Sequence, residues 1–109
     1  MQVYDTANQL AREIKESKEY KNYKEIKTKL LENPEKKEKL NKFEKTRYDV
    51  QRKQLNGEKI EEENKELEKI YMDLYKDTDM QKYFKAETDF NILITDVNKI
   101  IAEAIEDLL

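Results

Sequence analysis

Residues 80–109 read MQKYFKAETDFNILITDVNKIIAEAIEDLL, and their spacing decides the fold class. Met80, Tyr83, Glu87, Phe90, Ile94, Val97, Ile101, Ala104 and Leu108 follow one another at alternating steps of three and four, without a slip. That spacing returns each side chain to one stripe of an α-helix and makes a heptad seam. Ala86, Leu93 and Ile100 form a second row beside the first and widen the apolar face. A helix this apolar along one side draws its stability from packing, so the seam requires other helices of the chain, a second copy, or both. Asp96, Asn98, Lys99 and Glu103 interrupt the stretch. It therefore falls short of the ~20 continuous apolar residues of a membrane span, and no membrane insertion is expected.

Upstream of the seam the sequence reads as further helices. Thr6 and Gln9 have the spacing of a capping box, and Ala7, Leu10 and Ile14 follow with Val3 at helical steps. Ser17 reads as a break and a new cap before a stripe of Tyr20, Tyr23, Ile26, Leu30 and Leu31. Pro34 suits a first helical turn, which makes Asn33 the cap of a third helix carrying Leu40, Phe43, Arg47, Val50 and Gln54 on one face. Leu67, Ile70, Tyr71 and Leu74 mark a fourth helix, and Thr78 with Gln81 reads as a second capping box before the last one. Between the third and fourth lies KQLNGEKI, residues 53–60, with the one glycine of the chain. Asn-Gly signals a β-hairpin only between alternating apolar runs, and the flanks here do not alternate. Gly57 therefore reads as a left-handed helix cap at the tip of a helical hairpin. The expectation is a single all-α domain over residues 1–109. It is an elongated bundle of about five helices, with the hairpin turning at Gly57 and a long C-terminal helix.

Composition narrows the chemistry. The 109 residues include neither cysteine nor histidine. Thiolate zinc sites, cysteine-held iron–sulfur clusters and cysteine nucleophiles are thereby excluded, as are triads that use an imidazole base. No catalytic, cofactor-binding or metal-binding residue is expected, nor a small-molecule substrate, and the chain does not read as an enzyme. The mean hydropathy is −1.12, yet 22 basic and 25 acidic residues nearly cancel. Regular apolar spacing with low net charge describes a folded protein with a thin core rather than a disordered one. The opening MQVYDTANQL has no basic segment followed by an apolar core, so no secretion signal is read there.

Several side chains invite a functional reading. Met80, Tyr83, Glu87, Phe90, Ile94, Val97, Ile101 and Leu108 are expected to carry self-association, as a dimer. Glu87 is the one acid of that seam and reads as a hydrogen-bonded core or interface acid, paired with Arg47 or Gln51, that sets register. The run Glu61 to Glu63 points in different directions around a helix, so it suits the positive helix end better than a cation. Lys36, Lys39, Lys42, Lys45, Arg52 and Lys53 raise direct RNA binding by the third helix as the alternative function. Asp49 among them, the absence of a stacking motif and a pI near 5.2 weigh against it, so direct nucleic-acid contact is not expected. Charge is unevenly divided: residues 1–56 carry +5 and residues 57–109 carry −8. Tyr20, Tyr23, Tyr71 and Tyr83 occupy stripe positions, where a ring with a hydroxyl suits a partly buried boundary.

The order and spacing of VYDTANQLAREIKESKEY, Phe43, KQLNGEKI and KAETDFNILITDVNKII resemble the YlbF/YmcA-like family of small bacterial helical proteins. The likeness is nearest to its YheA-type (UPF0342) branch and spans almost the whole chain. The elements that carry it best are Lys53-Gln54 with Gly57 and Ile60, the Ala86-Glu87 pair, and Asn98-Lys99-Ile100-Ile101. The resemblance implies a self-associating all-α bundle in the bacterial cytoplasm. It also implies a non-enzymatic adaptor whose protein partners act in RNA processing, with effects on competence, sporulation and biofilm formation. Relatives that carry an iron–sulfur cluster use cysteines for it, and this chain has none.

Overall fold

The computed structural model describes residues 2–109. Among these residues the chain forms α1 (Gln2–Glu16), α2 (Lys18–Leu31), α3 (Pro34–Leu55), α4 (Glu61–Leu74) and α5 (Thr78–Ala104). A 3-10 turn, Glu106–Leu108, follows. The all-α bundle expected from periodicity is the fold. One end differs: the seam's last residue, Leu108, lies beyond α5 in that final turn and is 84% exposed.

The helix boundaries follow from side chains that satisfy orphaned backbone groups. Ser17 Oγ donates to the Ile14 carbonyl at 2.6 Å and accepts from the Tyr20 N–H at 3.1 Å, which closes α1 and opens α2. Asn33 Oδ1 accepts from the Glu35 and Lys36 N–H groups at 3.0 and 3.2 Å, with Pro34 in the first turn. Two of the expected capping boxes are not used. Thr6 lies inside α1, which is already helical from Gln2. At α5 the cap is Asp77 rather than Thr78: its Oδ1 accepts from the Asp79 N–H at 2.9 Å, and its carbonyl from the Gln81 N–H at 3.0 Å. Gln81 reaches past it to the Tyr75 carbonyl at 2.6 Å. A carboxylate accepts more strongly than a hydroxyl and also complements the positive helix end, so Asp77 outcompetes Thr78.

The chain packs as two compact units. One comprises the residues up to Lys27 with Tyr83–Leu109, and the other Thr28–Lys82, so the divisions fall inside α2 and inside α5. In the second unit α3 and α4 pack against each other as an antiparallel hairpin. Its buried residues are Leu30, Leu40, Phe43, Val50, Leu74 and Met80. Gly57 adopts φ 75° at the hairpin tip. The Glu58 N–H donates to the Lys53 carbonyl at 3.0 Å and the Gly57 N–H to the Gln54 carbonyl at 3.1 Å. Those two bonds are the paired closure of a Schellman motif, which needs a left-handed residue between them. The first unit has a smaller core of Tyr83, Phe84 and Ala86, and no residue of α1 is buried.

Candidate functional site

The heptad seam divides along its length. Met80, Tyr83 and Ala86 are each 1% exposed, so the start of α5 is covered within the single chain. Glu87 and Phe90 are half-buried. Around them α2 supplies an aromatic cluster: Tyr20 and Tyr23 lie 6.0 and 5.8 Å from Phe90, and Tyr23 lies 5.4 Å from Tyr83, between ring centroids. The Tyr23 hydroxyl donates to Glu87 Oε2 at 3.1 Å and is 3.2 Å from the Tyr83 hydroxyl. Burial, then the Tyr83 hydrogen bond and the Glu87 charge, push the Tyr23 phenol well above its ordinary value, so it stays a donor. The sequence suggests Arg47 or Gln51 as the partner of Glu87; the hydrogen bond comes instead from Tyr23 of α2, and Arg47 forks onto Glu44. A neutral tyrosine anchors the carboxylate.

Further along, the cover thins. Ile94 and Val97 are half-buried, whereas Ile100 and Ile101 are 68% and 51% exposed. Ile92 and Ile105 are exposed as well. Ile100 and Ile101 lie on the same broad side of α5 as Ile94 and Val97, so exposed β-branched side chains continue that half-buried stretch.

The lysine-rich third helix has a different character from that required for phosphate contact. Lys36 bonds Asp79 at 2.7 Å and Asp77 at 3.2 Å, Arg52 meets Asp49 at 3.6 Å, and Lys53 meets Glu63 at 3.2 Å. Lys39 pairs with Glu35, four residues earlier. The shallow groove beside Lys42 and Lys45 also contains Asp49, Glu63 and Glu66. Glu63 is held below the usual carboxylate range by its own backbone N–H and by Lys53, which is the helix-end role expected for that acidic run. Among the described residues no group of three or more acidic side chains is arranged to hold a metal ion, and no helix is long and apolar enough to cross a membrane.

One cluster was not visible in the spacing. On the hairpin, Tyr71 lies 6.0 Å from Phe43 and stacks on Tyr75 at 5.6 Å. The Arg47 guanidinium sits 5.1 Å over the Phe43 ring while forking onto Glu44 at 2.7 and 2.8 Å. The spacing places Tyr71 on a partly buried stripe, and the side chain is 38% exposed. Its partner Tyr75, four residues on, was the available signal.

A family model described as control of competence regulator ComK, YlbF/YmcA, matches residues 3–106 of this chain. A UPF0342 protein from Halothermothrix orenii is 41% identical over 107 residues, covering 97% of this chain and 91% of its own length. Another, from Symbiobacterium thermophilum, is 37% identical over 105 residues, covering 95% and 94%. Among solved structures, a protein of unknown function (DUF964) from Bacillus stearothermophilus superposes with a TM-score of 0.84. It covers 99% of this chain and 96% of its own at 17% identity, and so speaks for the fold alone.

Proposed function

This chain belongs to the YlbF/YmcA family, and from that membership we propose that it is a non-enzymatic regulatory module that acts by helix-to-helix contact as a homodimer. The observation that carries the dimer is the exposed row of Ile100 and Ile101 on the part of α5 that the chain leaves uncovered. Packing that row on a second copy removes β-branched side chains from water, at roughly 1.5–3 kcal/mol for each one fully buried. Ile94 and Val97, half-buried on the same stretch of α5, border that surface.

As the working role, the module is an adaptor for proteins of RNA processing in the bacterial cytoplasm. The family model's description as control of a competence regulator supports a regulatory role. The ion pairs that engage Lys36, Arg52 and Lys53 favour protein over nucleic acid as the partner. Multi-angle light scattering at micromolar concentration tests the assembly, with a mass of twice 13.2 kDa expected. The double substitution Ile100→Glu with Ile101→Glu should halve that mass while leaving the helical circular dichroism intact, because both side chains are exposed within the chain. A monomeric wild type sinks the dimer. Affinity capture from native lysate tests the adaptor role, and recovery of no RNA-processing protein argues against it.

A further inference from the structure

We infer that Asn56, at the tip of the α3–α4 hairpin, is a site of spontaneous covalent modification: it deamidates to aspartate and isoaspartate at a rate set by opening of the α3 cap. The inference depends on neither the dimer nor a partner. Of the eight asparagines in the chain, Asn56 alone is followed by glycine. Asn8, Asn22, Asn41, Asn64, Asn91 and Asn98 lie inside helices, where the next N–H is committed to the ladder. Asn33 precedes Pro34, whose nitrogen has no proton to lose. Asn56 stands outside the helices and is exposed. Gly57 has no side chain to block approach to its nitrogen, and nothing lies within 4 Å of where a Cβ would stand.

The reaction needs only water. The Gly57 amide nitrogen gives up its proton to solvent and attacks Cγ of Asn56. A C–N bond closes a five-membered succinimide as the bond to the side-chain nitrogen breaks, and that nitrogen takes up a proton and leaves as ammonia. Water then opens the ring at either carbonyl, giving aspartate or, with an extra methylene in the main chain, isoaspartate. The folded tip restrains the first step in two ways. The attacking N–H is donated to the Gln54 carbonyl at 3.1 Å. With ψ of 2° at Asn56, the Gly57 nitrogen is also turned away from the Asn56 Cβ, whereas ring closure brings the two into line. What holds this geometry is slight. The cap bonds lie at an exposed tip, and Leu55 beside them is 88% exposed and does not brace them. Backbone bonds in water with few packed neighbours open at low cost. Neither product restores the cap. A carboxylate at the C-terminal end of α3 opposes the helix dipole, and the isoaspartate methylene breaks the spacing of the paired Schellman bonds. The age of the molecule is thereby written into the turn that joins α3 to α4.

The test compares the intact chain with a peptide of residues 53–60, both held in mildly alkaline buffer. Peptide mapping reads a mass gain of about one dalton, and an isoaspartyl methyltransferase assay reads the isoaspartate. The gain should fall at Asn56 before any other asparagine, about ten-fold to a hundred-fold more slowly in the folded chain than in the peptide. In unfolding urea the two rates should converge. Gln54→Gly weakens the last turn of α3 without touching the reacting pair. It should speed the folded chain several-fold, with circular dichroism unchanged, and leave the peptide rate as it was. Asn56→Gln should remove the gain over the same period, because the longer side chain would have to close a six-membered ring. A folded rate equal to the peptide's, or no gain after about a hundred peptide half-lives, overturns the proposal. So does an equal or larger gain at another asparagine, or a Gln54→Gly chain that reacts no faster than wild type.

Discussion

At Gly57 the backbone at φ 75° occupies the left-handed region, where an added Cβ would meet no atom within 4 Å. The requirement for glycine is therefore conformational and not steric crowding by neighbours. Gly57→Ala is expected to lower stability by about 1 kcal/mol, read as an earlier urea midpoint with native helix content retained. An unchanged midpoint would mean the tip relaxes without cost. Tyr23 is the second residue with a defined job. Tyr23→Phe keeps the ring against Phe90 and Tyr83 but takes one hydrogen bond from the half-buried Glu87 carboxylate. A loss of about 1–2 kcal/mol in urea unfolding is expected. Gly57 was legible from sequence because one residue type answers one backbone conformation. The hydroxyl of Tyr23 was not, because its partners lie 60 and 64 residues away in the chain.

Helix ends set the pH behaviour of the elements. Burial alone would raise the Asp77 carboxyl, but the Asp79 N–H and then the Lys36 ammonium outweigh it and hold it below its ordinary 3.8. A lowered value in the folded state means a contribution fully present above about pH 3.8 and lost as pH falls through the folded value. Lys36 is raised above 10.5, chiefly by its bond to Asp79, so its contribution is full below that pH and lost as pH rises beyond it. Stability measured by denaturant should therefore show a shoulder on each side of a neutral plateau. Both shoulders should be shallow, since the groups are partly solvated and screened. Asp77→Ala should flatten the acid shoulder and cost about 1 kcal/mol at neutral pH through the lost cap. An acid limb unaltered in Asp77→Ala would assign it to other carboxylates. The sequence pointed one residue late here, to Thr78, because a capping pattern does not say which of two adjacent acceptors the backbone presents.

At the scale of the molecule, the thin core ties stability to the proposed assembly. Among the described residues few side chains are buried and α1 contributes none, so a second copy on α5, as proposed, would add to a small total. The thermal midpoint is expected to rise by several degrees over a hundred-fold increase in protein concentration, as mass action demands for a folded dimer. A concentration-independent midpoint would uncouple folding from association. The heptad seam, the breaks at Ser17, Asn33 and Gly57, and the absence of thiol and imidazole chemistry were all determined by the sequence itself. Each depends on side-chain type at short range or on helical period, and both are written along the chain. The tertiary structure alone decided how that seam is spent, with Met80 and Tyr83 covered and Ile100 and Ile101 left in water. It also brought Phe43, Tyr71 and Tyr75 together on the hairpin and matched Lys36, Lys39 and Lys53 of α3 to carboxylates. Period says which side chains share a face, whereas only the folded chain determines what stands opposite each one.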